Sequence, residues 1–330
     1  METLRWLSAE DMANCVSMLD VIDAVRQGFI AYSNGSAVAP PRTAMELPEG
    51  MTLTMPAALP VEGTTAVKIV SVYPGNTARG LPTITGLVAV LDATTGEPQT
   101  LMDGGYLTGL RTGAASGVAT DLLAAPGARV LGLIGTGYQA RFQAEAVAAV
   151  RPIEMIRVYS RDVTQRVRFV DELGAYLRGR GVTVAVLPAS TPAEAVDGAP
   201  VVCAATSSST PVLAAADLLP GAHINGVGSY RLDMQEIPDE IVRCAQVFVD
   251  AREAARTEAG DLLPAVEAGV LDWVTLPEIG EALSGARPGR QSSEEVTFFK
   301  SVGIAVQDVA AAGLVSRRAH EMGIGQPLIR

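Results

Sequence analysis

Lysine is all but missing from this chain. Of its 25 lysine and arginine residues only Lys68 and Lys300 are lysine. Histidine is nearly as scarce. His223 and His320 are too isolated for a histidine-rich metal centre, so no metal site is expected. The three cysteines, Cys15, Cys203 and Cys244, are odd in number, scattered and without a C-x-x-C pair. They read as buried thiols in a reducing cytoplasm. No apolar run reaches the length of a membrane span, and Met1 to Met12 have neither a basic flank nor an apolar signal core. No basic cluster offsets the net charge of −11, which argues against nucleic acid or anionic membrane as partners. What is present, 330 residues of which 48% are hydrophobic, suffices for a large core divided over two domains.

Against an arginine-rich background the two lysines are informative. A compact ammonium with a tunable pKa suits places that a planar guanidinium does not, codon bias being the plain alternative. Lys68 lies in Ala66-Val67-Lys68-Ile69-Val70, an apolar strand-like run where a solvated charge is out of place, and is read as functional.

The strongest local pattern is Arg129-Val130-Leu131-Gly132-Leu133-Ile134-Gly135-Thr136-Gly137-Tyr138-Gln139-Ala140. An apolar run turns on Gly135 and Gly137 and passes into an alanine-rich helix. The first glycine permits the turn, the second lets the main chain approach a pyrophosphate, and Ala140 allows close helix–sheet packing. Tyr138 and Gln139 lie within the same turn. A second strand, roughly Met155 to Tyr159, arrives at the distance a βαβ dinucleotide unit requires. After it, where an NAD site usually places an Asp or Glu, stands Ser160-Arg161, a hydroxyl and a guanidinium suited to a 2′-phosphate. The expected cofactor is NADP(H), with NAD(H) left open.

Ser8-x-x-Asp11 and the segment from Asp20 to Asn34-Gly35 predict two opening helices. Short apolar runs, Thr52–Met55, Ala66–Val72 and Thr83–Leu91, predict a mostly β layer, and an alanine-rich helix from Leu110 to Leu123 leads to a boundary at Pro126-Gly127. Beyond it, a helix at Val163–Arg178 alternates with strands at Val182–Leu187, Val201–Ala205, Ile224–Val227 and Val247–Asp250. This predicts an α/β fold, a Rossmann-type doubly wound parallel sheet, whose ligands bind beyond the carboxyl ends of strands. Thr206, Val227, Gly228 and Ser229 stand at such ends. A last helix, Val302 to Met322, returns to the first domain. The expected division is 1–123 with 302–330 as the substrate domain and 124–301 as the dinucleotide domain.

Taken together, Arg42-Thr43, Met55-Pro56, Lys68, Gly80-Leu81-Pro82-Thr83, Leu87–Asp92, Leu110-Arg111-Thr112-Gly113-Ala114, the glycine turn, Asn225-Gly226-Val227-Gly228 and Phe299-Lys300-Ser301-x-Gly303 resemble the ornithine cyclodeaminase/μ-crystallin family, in order and over nearly the whole chain. The resemblance implies a homodimer with a discontinuous α+β dimerisation and substrate domain and an inserted Rossmann domain. It puts Arg42, Lys68 and Arg111 around a substrate carboxylate and Thr83, Arg111, Thr112, Gln139 and Ser301 on the dinucleotide. Two departures narrow the implied activity. Tyr230 stands where the family's cyclodeaminases carry an aspartate, and Leu53 where they carry a glutamate. Without those carboxylates ammonia elimination is disfavoured, and alanine dehydrogenation with it, although Asp233 or Asp308 could substitute. The expectation is an NADPH-dependent reductase of Δ1-pyrroline-2-carboxylate or Δ1-piperideine-2-carboxylate, giving L-proline or L-pipecolate, with Tyr230 or a water as proton donor. The alternatives are another amino-acid enzyme of the family (an ornithine or lysine cyclodeaminase, an alanine dehydrogenase or an N-alkyl amino-acid synthase) and a non-catalytic crystallin-like binding protein.

Overall fold

After a short strand β1 (Arg5–Leu7), Ser8 and Ser17 each accept the amide three residues on while Asp11 and Asp20 reach back to the serine amides. These two capping boxes start α1 (Ala9–Cys15) and α2 (Met18–Ser33). The chain then runs through β2 (Thr43–Leu47), β3 (Gly50–Leu59), β4 (Thr64–Val72), β5 (Ile84–Asp92) and β6 (Pro98–Asp103) into the long helix α3 (Gly104–Leu123). The alternating part follows: β7 (Val130–Ile134), α4 (Ala140–Val150), β8 (Met155–Tyr159), α5 (Val163–Gly179), β9 (Ala185–Pro188), α6 (Pro192–Val196) and β10 (Val201–Ala204). It continues with β11 (His223–Gly226), α7 (Asp239–Cys244), β12 (Gln246–Val249), α8 (Arg252–Glu258), α9 (Leu263–Glu267), α10 (Ile279–Leu283) and β13 (Thr297–Lys300), before α11 (Ala305–Met322) and β14 (Gln326–Pro327). This computed structural model describes residues 3–328. None of its helices is long and apolar enough to cross a membrane among the described residues.

Two units divide the chain: Met1–Arg111 with Ile304–Arg330, and Thr112–Gly303. In the first, strands lie in the order β14-β1-β6-β5-β4-β3-β2, antiparallel except for the β1–β6 pair. Strand alternation decides what is covered. On β4, Thr64, Ala66, Lys68 and Val70 are buried, and α11 packs on β3 and β4 and against α2. The cross-strand register Thr43–Thr54–Ile69 puts Met45, Leu47 and Ile69 on the opposite face, where all three are exposed.

In the second unit all strands are parallel, in the order β12-β13-β11-β10-β7-β8-β9. One apolar cluster gathers Leu131, Leu133, Ile156, Val158 and Phe169, and a second gathers Ile134, Val202, Ile224, Val249 and Phe298. Alternate residues of β7 enter different clusters, as a sheet covered on both faces demands. Strand order reverses between β7 and β10, the switch point where such sheets hold ligands.

Three expectations need correction. The division falls inside α3 and not after Leu123. The second half of that helix belongs to the parallel unit because Arg151 donates to the Thr120, Asp121 and Ala124 carbonyls at 2.8, 2.7 and 3.0 Å and pairs with Asp121 at 3.0 Å. The return to the first unit falls at Gly303/Ile304, just past the expected residue 302. Of the three free thiols, Cys15 and Cys203 are buried but Cys244, at the end of α7, is exposed. Replacing Arg151 by Ala takes a donor from four carbonyls, counting Ala125 at 3.1 Å, of which Thr120 and Ala125 keep the Ala124 and Ala128 amides at 2.9 and 3.1 Å. The expected cost is about 3 kcal/mol, read as a lowered urea midpoint.

Candidate active site

The first unit gathers one buried charge cluster. Lys68 points from β4 toward the helix-covered face, and its Nζ donates to Asp308 Oδ1 at 2.8 Å. Arg111 Nε lies 3.0 Å from the same oxygen, and the Arg111 guanidinium donates to Gln307 Oε1. Gln307 and Asp308 come from the first turn of α11, where the helix dipole favours a carboxylate. Lys68, Arg111, Gln307 and Asp308 are all buried. Burial drags the Lys68 ammonium down to about 7; Arg111 and Arg42 push the same way and Asp308 opposes them. Asp308 Oδ2 and Gln307 Nε2 are buried without a hydrogen-bond partner among the described residues. Two buried cationic side chains, Lys68 and Arg111, against one carboxylate leave a surplus of positive charge, which a small anion would neutralise.

Sequence reading finds Arg42, Lys68 and Arg111, and the structure brings them within electrostatic reach of one another. Gln307 escapes it, and Asp308 enters only as a spare carboxylate. Of the two spare carboxylates considered, Asp308 is the buried one, whereas Asp233 is exposed and paired with Arg231. Leu53 shares the sheet face of Lys68, since it pairs with Val70. Thr83 is exposed beside β5.

In the second unit the glycine turn has the stereochemistry the motif needs. Gly135 has φ +111°, and a Cβ there would lie 2.5 Å from the Ala205 carbonyl oxygen, so only glycine fits. A Cβ on Gly137 would meet nothing within 4 Å, leaving the main chain approachable. α4 begins at the buried Ala140 with no side-chain cap and no acid in its first turn. Ala140 N and Phe142 N donate to the Gly137 and Gln139 carbonyls at 3.1 and 3.0 Å, so an anion would meet the positive end of the helix and the open turn before it. Gln139 Oε1 is buried without a partner among the described residues. An open glycine at the start of a helix with no acid in its first turn fits the pyrophosphate of a dinucleotide. Tyr138, half exposed, meets Phe142 in a tilted arrangement with ring centroids 5.4 Å apart and carries the Arg141 guanidinium 4.7 Å above its ring.

At the end of β8, Ser160 is half-buried and Arg161 exposed. The nearby carboxylate, Asp162, is engaged in capping α5 through Gln165 N at 2.9 Å. A second guanidinium, Arg166, escapes sequence reading: it donates to the Ser160 carbonyl at 3.0 Å, while its buried Nε has no partner among the described residues.

The strand-end residues turn out to be internally bonded. Thr206, Gly228 and Ser229 all donate their amides to Glu236, the last two at 2.6 and 3.0 Å. The Ser229 hydroxyl donates to the Met234 carbonyl. Those donors, on residues expected at the ligand-binding ends of strands, are engaged within the protein. Ser301 likewise donates its hydroxyl to Asp250 at 3.0 Å. Val227 and Thr112 are buried, and Tyr230 is exposed.

A family model described as ornithine cyclodeaminase/mu-crystallin matches residues 4–323. The chain belongs to this family. Among relatives of the family, a Delta(1)-pyrroline-2-carboxylate reductase of Bacillus cereus is 38% identical over 324 residues, covering 97% of this chain and 98% of the relative. A solved structure of Thermococcus litoralis Delta(1)-pyrroline-2-carboxylate reductase, in complex with NADH and L-proline, superposes with a TM-score of 0.91 at 36% identity. It covers 98% of this chain and 100% of that one. An archaeal alanine dehydrogenase dimer with bound NAD gives a TM-score of 0.88 at 37% identity, covering 100% and 99%. The Rossmann-type fold expected of residues 124–301 is thereby matched by nicotinamide-binding members of the family.

Proposed function

We propose that this protein reduces a cyclic imino acid, Δ1-pyrroline-2-carboxylate or Δ1-piperideine-2-carboxylate, to L-proline or L-pipecolate with a nicotinamide dinucleotide. The observation that carries the reading is the buried Lys68–Arg111–Asp308 cluster with its surplus of positive charge. The likeness to reductases of that substrate, one of them solved with L-proline, supports it. Leu53 beside the cluster and the exposed Tyr230 supply no carboxylate for ammonia elimination, which favours reduction over cyclodeamination.

Arg111 and Arg42 hold and orient the substrate carboxylate. When bound, the reduced dinucleotide supplies the hydride for the imine carbon. Lys68 holds a proton at Nζ under conditions where half of it ionises near neutrality, and delivers it to the imine nitrogen, so that C=N becomes CH–NH. Asp308 keeps the ammonium aimed by accepting its hydrogen bond. This gives Lys68 the proton-donor role expected of Tyr230. Gly135, Gly137, Tyr138, Gln139 and Ala140 hold the dinucleotide at the start of α4, and Thr112, Thr206, Val227 and Ser301 of the same unit complete its surroundings. Ser160, Arg161 and the neighbouring Arg166 favour NADP(H), because Asp162 is engaged in a helix cap and no other carboxylate directly follows β8.

A second copy of the chain covers the open sheet face bearing Met45, Leu47 and Ile69, in keeping with the dimer of the related alanine dehydrogenase. The free thiols suit a reducing cytoplasm.

The deciding experiment is oxidation of NADPH and NADH against both cyclic imines, with product identified by mass spectrometry. Release of ammonia from L-ornithine without imine reduction rejects the reading. Because the protonated Lys68 is the active form, kcat/KM should fall tenfold per pH unit above about 7. Lys68→Met should lower kcat/KM by roughly 10²–10⁴ and remove the enzyme's share of that limb. Arg161→Ala should weaken NADPH by about 1–3 kcal/mol and leave NADH nearly untouched, as titrations of each cofactor would read. Introducing Asp at Met45 and Ile69 together should convert a dimer to a monomer in sedimentation.

A further inference from the structure

We infer that Glu236 is a positioning residue that ties the loops after β10 and β11 into one preformed platform, with Asp261 and Lys300 holding it in place; the inference rests on the dinucleotide reading proposed above. The loops leave adjacent parallel strands, and each passes its turn at the carboxyl end of the sheet. Glu236 bridges them. One carboxylate oxygen accepts the amide of Thr206 from the first loop, and the other accepts Gly228 and Ser229 from the second, at 2.6 and 3.0 Å.

The bridge is itself anchored. The Glu236 and Ile237 amides donate to Asp261 Oδ1, the latter at 3.0 Å. The other oxygen of Asp261 lies 2.8 Å from Lys300 Nζ, and Lys300 donates to the Ser229 carbonyl. The circuit therefore closes on the same loop that Glu236 grips. Glu236, Asp261 and Lys300 are all fully buried. Burying two carboxylates and one ammonium is expensive, and packing alone would be served by apolar residues of similar volume. Polar groups in this arrangement fix one geometry, and the geometry they fix is that of Thr206, Gly228 and Ser229. Gly228 is required for it, since a Cβ there would lie 1.9 Å from the Thr206 carbonyl oxygen and 2.6 Å from Glu236. Their amides are taken by Glu236, so these residues serve a ligand through the shape of their loops. Burial pushes the Glu236 carboxyl upward and Asp261 adds to the push, while Lys300 opposes it. Lys300 thus helps keep the bridging group ionised and accepting.

Amide exchange followed by mass spectrometry, with fluorescence titration of NADH, tests this. In the unmodified protein without dinucleotide, the Thr206, Gly228 and Ser229 amides should exchange about a thousandfold or more slower than unstructured amides. Fast exchange that slows only after NADH is added overturns the inference. Glu236→Gln replaces an accepting oxygen with a carboxamide NH2, a donor that faces a backbone N–H donor. With a cooperative thermal transition retained, it should accelerate exchange at the three amides and raise the NADH Kd about tenfold or more. Glu236→Asp keeps the charge but is too short to span both loops, and should give a similar loss. Unchanged NADH binding in a folded Glu236→Gln protein, or full recovery in Glu236→Asp, overturns the inference. If neither variant folds, the exchange rates of the unmodified protein decide. Absence of imine reduction with NADH binding intact rejects the proposed substrate and leaves this inference standing.

Discussion

The first unit of this protein hangs on one buried contact, the Lys68 ammonium against the Asp308 carboxylate. An isolated ammonium taken out of water would shed its proton or refuse to fold in, and a carboxylate beside it only partly repays the transfer. Two further guanidinium groups make the ammonium less secure still. The result is a buried cluster in which cationic charge outweighs the single carboxylate. Several features of the fold follow from that requirement. β4 must alternate so that residue 68 faces the helices, α11 must begin where Asp308 falls in its first turn, and α3 must carry Arg111 to the same oxygen.

The unusual cation composition finds its reason in the same physics. Arginine serves wherever a solvated or forked cation is wanted. The two lysines occupy two fully buried sites, each against an aspartate, Lys68 on Asp308 and Lys300 on Asp261. A point-like ammonium can be enclosed there, whereas a planar guanidinium would demand more donors' worth of partners than either site offers. One lysine joins a strand to a helix, and the other donates to the Ser229 carbonyl of a loop.

How much of this is legible in the sequence depends on the range of the interaction. The capping boxes at Ser8 and Ser17, the start of α5 at Val163 and the turn at Gly135 are decided within a few residues and can be read directly. β2 cannot, because all five of its residues are exposed and no alternation marks it. β13 is four buried residues, too short for its period to declare itself. Lys68 could be singled out because a charge in an apolar strand is anomalous, but its partner lies 240 residues away and no local pattern points to it. Glu236 follows no motif. A glutamate in a loop looks solvated until the strands that flank it are placed side by side.

The interruption of the first unit carries a consequence for biosynthesis. Lys68 and Arg111 precede the whole parallel unit in the chain, and Gln307 and Asp308 follow it. As the polypeptide leaves the ribosome, the sheet bearing Lys68 is complete save for β14 long before its neutralising aspartate is translated, and the parallel unit, whose contacts are all within one continuous segment, can fold in the interval. The pairing of such distant residues is a late, high contact-order event. The charge cluster can thus close only after the whole parallel unit has been synthesised, and its closure reports that all that lies between has been translated.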